Sequence, residues 1–170
     1  MLTKRIRLIL IFVLFAGGIV ALFSDPYLAI VLWAVSLVLI LGHLRHGSMV
    51  GVLRALGQGR SDKAERLLAE ISRPDLLSRR YRAYYHFARG LLATQRKEHE
   101  TVKVAFNKAL EIGLKGRQER AVSYLSLARV AYTEKDRENA KNYLEKTKEN
   151  QTKDLFLKRR IEELEAALKR

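Results

Sequence analysis

The chain has 170 residues, 32 of them basic and 18 acidic, for a formal net charge of +14, and it contains no cysteine. Disulfides, thiolate metal sites and cysteine nucleophiles are therefore excluded, while anionic partners are favoured in general, without a choice among them. Average hydropathy is ordinary only because two unlike parts are averaged. Residues 1–44 are nearly all apolar, whereas residues 45–170 carry 29 basic and 17 acidic side chains.

The first elements in chain order are two apolar segments, 6–23 and 27–44, each 18 residues long. As helices they would measure about 27 Å at roughly 1.5 Å per residue, and a bilayer core of about 30 Å accepts helices of roughly 17–25 residues. The composition thus predicts two membrane spans. Ser24, Asp25 and Pro26 predict the turn between them, with Ser24 or Asp25 capping the second helix and Pro26 in its first turn. Lys4, Arg5 and Arg7 precede the first span, Arg45, Arg54 and Arg60 follow the second, and only Asp25 lies between. Positive residues stay inside, so the expectation is a multi-pass protein of the inner (cytoplasmic) membrane with both termini cytosolic. A cleaved signal peptide is the rival. It is disfavoured because "ALFSDP" has no small-x-small pattern and a second apolar run follows at once. Gly17 and Ala21 have the small-xxx-small spacing of closely packed helices.

The remainder repeats with a period of 38 residues, and self-similarity of this kind marks stacked supersecondary units. Ala55, Ala93 and Ala131 superimpose, as do Val52, Gly90 and Ala128, and Met49, Phe87 and Leu125. Later in each unit Ala64-x3-Leu68, Val102-x3-Phe106 and Ala140-x3-Leu144 align, followed by Ile71, Ala109 and Thr147. Polar breakers, "GQGRSD", "TQRKEHE" and "TEKDRE", separate two helices per unit, and apolar residues recur at helical spacing in "AERLLAEI" and "VKVAFNKALEI". After the third unit, Leu157, Ile161, Leu164 and Leu168 form one stripe on an otherwise charged helix. A terminal helix with a polar outer face is what a repeat array needs.

With "VKVAFNKALEIG", "AKNYLEKTKEN" and the glycine of "HFARGLLA", residues 45–152 resemble the tetratricopeptide repeat (TPR) family. The resemblance implies paired antiparallel helices with small residues where they cross. It departs from the family in its period, which is usually 34, and in lacking the early tryptophan, replaced by Ser48, His86 and Tyr124. The expected fold is all-α: an N-terminal transmembrane helical hairpin (1–44), a three-unit TPR-like α-solenoid (45–152, in units 45–78, 83–116 and 121–152), and a C-terminal capping helix (153–170).

Catalysis finds little support. "GVLRALGQGR" lacks the lysine-serine pair of a phosphate loop, His43 and His46 have no third ligand nearby, and His86 and His99 have no triad spacing. Glu162, Glu163 and Glu165 read as a solvated helix face. No enzyme activity, cofactor, metal or small-molecule substrate is expected. Binding is the better reading, because in the resembling family the first helix of each pair lines a concave groove. Carried onto this chain, the groove would take Met49, Leu53 and Leu56 from unit one and Tyr84, Phe87 and Leu91 from unit two. Unit three would add Val122, Leu125, Arg129 and Tyr132. Such an apolar, aromatic lining suits an amphipathic helix or extended peptide; the competing reading is that these residues pack on one another or on the C-terminal helix. Two basic clusters, Arg79, Arg80, Arg82 and Arg89 on one helix and Lys158, Arg159 and Arg160 on the last, are expected to face anionic lipid headgroups rather than nucleic acid. The functional expectation is a membrane-anchored TPR-like adaptor that binds or assembles partner proteins at the cytosolic face. The alternative is an accessory subunit of a larger membrane complex, held through the two spans.

Overall fold

The computed structural model describes residues 4–21, 26–46, 49–150 and 154–169, with side chains of the first two helices described at 12–14, 16–21 and 26–37. The described chain is helical throughout: α1 (Lys4–Ala21), α2 (Pro26–His46), α3 (Met49–Gly57), α4 (Ser61–Ala69), a 3-10 turn at Pro74–Leu76, α5 (Arg79–Arg96), α6 (His99–Ile112), α7 (Arg117–Thr133), α8 (Arg137–Glu149) and α9 (Leu155–Lys169). It divides into two compact units, residues 1–47 and 48–170.

The first unit is a pair of packed helices, α1 and α2. Its seam is made of small residues, Gly18 and Ala21 from α1 and Ala29 and Ser36 from α2, all buried. Gly18, rather than Gly17, makes the close approach: a Cβ there would run into the Trp33 indole, and Gly17 is exposed. Large apolar side chains point outward instead, with Phe12, Val20 and Tyr27 at 73, 70 and 80% exposure.

The expectation of two membrane spans is overturned. Among the described residues, no helix is long and apolar enough to cross a membrane. Lys4, Arg5 and Arg7 do not flank α1 but occupy its first turn. The uncharged remainder, 8–21, rises only about 21 Å against a hydrocarbon core of about 30 Å. The α2 helix closes on His43, Arg45 and His46. The transmembrane hairpin, the multi-pass inner-membrane location and the orientation argued from flanking charge are withdrawn with it. The capped turn expected at Ser24 and Asp25 lies outside the described residues.

The second unit is a stack of helical hairpins, a bundle-like solenoid. α3 packs on α4, α5 on α6 and α7 on α8; each hairpin meets the next, and α9 lies on α7 and α8. The joints are built alike. Gly59, Lys97 and Lys135 take left-handed backbone, at φ 69°, 59° and 65°, and the amides just after them, of Arg60, Glu98 and Asp136, donate to the carbonyls of Ala55, Ala93 and Ala131 at 2.9, 3.1 and 2.9 Å. Their own amides donate to Leu56, Thr94 and Tyr132. This pairing is the Schellman ending of a helix, and it occurs three times at intervals of 38 residues. α4, α6 and α8 begin directly after it, at Ser61, His99 and Arg137. In the first hairpin the second helix is shorter, ending at Ala69, and Pro74 then opens the 3-10 turn with Arg73 held out of helical backbone.

Burial follows the same interval. Met49, Phe87 and Leu125 are buried, as are Val52, Gly90 and Ala128, and Ala64, Val102 and Ala140. One core runs from α3 to α7 and a second joins α7, α8 and α9. The tightest crossing is α5 on α6, where a Cβ on Gly90 would lie 2.8 Å from two ring carbons of Phe106, a side chain with no exposed surface. Gly90→Leu should therefore destabilise the chain by about 1–3 kcal/mol through overpacking. In urea unfolding of the full chain, Gly90→Leu combined with Phe106→Leu should cost less than the two single changes added together.

Candidate functional site

The α3, α5 and α7 helices face one cleft of about 510 Å3. Val50, Leu53 and Leu56 form its α3 wall. Tyr81, Tyr84, Phe87 and Leu91 form its α5 wall. Arg80 and Glu119 supply its charges. The walls follow from helical spacing: 50, 53 and 57 share one face of α3, and 80, 84, 87 and 91 share one face of α5.

Aromatic packing ties the cleft to the core. Phe106 meets Phe87 at 63° with centroids 5.9 Å apart, and Phe87 meets Tyr84 nearly edge-on at 6.3 Å. Tyr84 then donates its hydroxyl to Glu119 Oε1 at 3.1 Å. Burial raises the Tyr84 pKa above its ordinary value, the Glu119 charge and hydrogen bond raise it further, and Arg80 opposes both. Tyr84 is thus a protonated donor throughout the physiological range. Glu119 stands in the first turn of α7, where the helix N-terminus favours an anion. Its carboxylate fills the space a Cβ on Gly116 would need.

The expected groove residues divide. Leu53, Leu56, Tyr84, Phe87 and Leu91 come together in the cleft. Met49 is fully enclosed in the core. Val122 is half-buried and packs against both cores, and Leu125 lies with Leu157, Ile161, Leu164 and Leu168 of α9. Arg129 opens instead onto a separate hollow beside Thr94, Lys97 and His99, and Tyr132 is exposed near the end of α7. Phe87 is both cleft wall and core at 7% exposure.

The expected anionic-surface contacts fall on two helices. On α5, Arg79 Nε donates to the Ile112 carbonyl at 3.0 Å, and Arg80 lines the cleft. Arg82 is half-buried, with an Nε that is enclosed and has no partner, and Arg89 shares a hollow with Glu65 and Glu98. On α9, Lys158 stands 3.9 Å from Glu162, Arg159 is exposed, and Arg160 lies over the Phe156 ring at 4.8 Å. Glu119 and Tyr81 escaped the sequence reading. They are equivalent positions one period apart, and periodicity marks both as inward-facing only once the helix starts are known.

Among the described residues, no group of three His, Asp or Glu side chains could hold a metal ion. The cleft holds the Tyr84 hydroxyl paired with the Glu119 carboxylate. Its means are an apolar aromatic wall, one arginine and one fixed carboxylate. Compared with protein-family models, with curated proteins and with solved structures, the chain matches none of them.

His86 lies on the other side of α5, 9% exposed. Burial lowers its pKa below 6.5, helped by the charges of Lys108, Arg89 and Arg82 and opposed by Asp75. Below pH 6.5 the unfolded chain binds a proton that the folded chain refuses, so this contribution to stability is whole above 6.5 and is lost on acidification. Urea midpoints between about pH 7.5 and pH 5 should fall more steeply for the native chain than for His86→Gln.

Proposed function

We propose that the second unit is a TPR-like adaptor that holds a segment of a partner protein in the cleft between α3, α5 and α7. The observation that carries this reading is the cleft itself. Leu53, Leu56 and Leu91 are only half-buried, in a concavity floored by Phe87 and Tyr84. Apolar concavities with few polar groups are the usual form of binding sites, and helical-hairpin stacks present such surfaces along their inner face. The joints and buried positions that recur every 38 residues support the repeat assignment. A photo-crosslinking residue at Leu53 or Leu91, in the full chain expressed in its native cells, should give discrete adducts with another protein. The same residue at Val104, 61% exposed on α6, should not. Identical adducts from all three positions, or none, would remove the cleft from consideration.

A second reading has its own observation. The α1–α2 pair exposes Phe12, Val20, Tyr27 and Ile30 to 62% or more, and apolar surface of this extent in a folded protein marks an interaction site. The chain would then be an accessory subunit held through that pair. Replacing residues 4–46 with an unrelated helical pair should abolish co-purification with the complex under this reading and preserve the Leu53 adducts under the first.

A further inference from the structure

The α1–α2 pair is built the wrong way round for water. Its seam holds small and polar residues, Gly18, Ala21, Ala29 and Ser36, and Ser36 is 2% exposed with a hydroxyl that has no partner. Its outer surface holds large apolar ones, with Phe12, Val13, Val20, Ile30, Val31 and Leu37 all exposed. A helix pair in water places these classes the other way about. Small residues in the seam and a hydroxyl turned inward are the pattern of helices packed in hydrocarbon. The exposed positions of 12–20 sweep about 160° of α1 and those of 26–37 about 220° of α2, at roughly 100° per residue. Neither arc contains a charged side chain. A protein partner, or a second copy of the chain, covers one side of such a pair and leaves the rest in water. A surface apolar on every outward side calls for a solvent that wets all of it.

Charge supplies a second, separate observation. The short connection 22–25 makes the helices antiparallel, with Gly17 opposite Leu32 and Gly18 opposite Trp33. The first turn of α1, with Lys4, Arg5 and Arg7, therefore lies at the same end as His43, Arg45 and His46 of α2. Among its described residues this unit contains no Asp or Glu. The pair thus has an uncharged body and one cationic end. We infer that it seats the chain on an anionic lipid surface, with the apolar body in the hydrocarbon of one leaflet and the cationic end among the headgroups, without crossing. One leaflet offers about 15 Å of hydrocarbon, half of a core of about 30 Å, and an inclined pair fits that depth. Apolar burial and the attraction of Lys and Arg to anionic headgroups act together in anchors of this monotopic kind. The inference is independent of the adaptor reading of the second unit, and it puts lipid in place of protein as what covers the first.

The test uses the full chain and vesicles of phosphatidylcholine, alone or with about 30% phosphatidylglycerol as the anionic lipid. Trp33, the one tryptophan of the chain, is the probe. With anionic vesicles its emission should shift to the blue and be quenched by lipids brominated on the acyl chain, and the chain should float with the vesicles. Binding should be at least about tenfold tighter than to neutral vesicles, and the advantage should shrink as salt rises. Combining Lys4→Glu, Arg5→Glu and Arg7→Glu should remove that advantage and keep the blue shift at high lipid. Val20→Lys with Ile30→Lys, both at exposed positions, should abolish flotation and quenching while the circular dichroism melt is retained. No flotation, flotation without quenching of Trp33, equal affinity for neutral vesicles, or native-like binding by the Val20→Lys, Ile30→Lys chain each overturns the inference. So does labelling of Asp25→Cys, in a chain with no other cysteine, by a thiol reagent sealed inside the vesicles, because the pair would then cross. A lipid-free complex or oligomer, recovered without detergent and dissociated by Val20→Lys with Ile30→Lys, would show that protein covers the pair, and the accessory-subunit reading would take the inference's place. The Leu53 crosslink tests the cleft separately, so either reading can fail alone.

Discussion

The second unit hangs on the contact of Phe106 with Gly90. Only a residue without a Cβ lets α6 bring a whole phenyl ring against the backbone of α5, and the ring is then wholly enclosed. From there one line of contacts runs outward: Phe106 to Phe87, Phe87 to Tyr84, Tyr84 to the carboxylate on α7. Interiors of this density transmit displacement instead of absorbing it. The cleft walls are therefore set by the core packing of the hairpin beneath them, and the carboxylate is placed by a hydroxyl that the same packing aims.

The stacking is less uniform at its surface than inside. Arg96 pairs with Glu65 between α5 and α4. One period later, Lys103 of α6 pairs with Glu134 beyond α7 at 2.9 Å, at the equivalent two positions with the charges exchanged. Exposed pairs of this sort contribute roughly 0–1 kcal/mol, so either polarity serves and the joint is conserved in geometry alone. Arg79 and Arg117 likewise reach the carbonyls of Ile112 and Glu149, tying the start of the first helix to the end of the second within the α5–α6 and α7–α8 hairpins. The left-handed residue of each joint tolerates lysine twice, at Lys97 and Lys135, where glycine would be the less strained choice.

Much of this was legible in the sequence because it depends on side-chain size. Small residues at 55, 93 and 131, and at 52, 90 and 128, announce crossings, since helices cannot meet closely over anything larger. What the pattern could not express is which face of a helix remains open. Leu125 has the same spacing as Phe87, yet α9 covers it, because the array ends there and the last inward face must be closed. Met49 has the spacing of a groove residue but is enclosed in the core with Val52 and Ala55, while Val50, Leu53 and Leu56 of the same short helix face the cleft. In the first unit, length and apolarity suggested spans, but three cations placed inside the first helical turn were counted as flanking sequence.

The open cleft is the consequence of two interruptions. At one end α3 has 9 residues where α5 has 18 and α7 has 17, so the first hairpin cannot cover the length of the α5 inner face. At the other end α9 covers the inner face of α7. Between them Leu53, Leu56 and Leu91 stay half-buried along the cleft. Apolar area left in water forgoes roughly 25 cal/mol for each Å2 unburied, and the arginines at the head of α5 add an electrostatic cost at the same place.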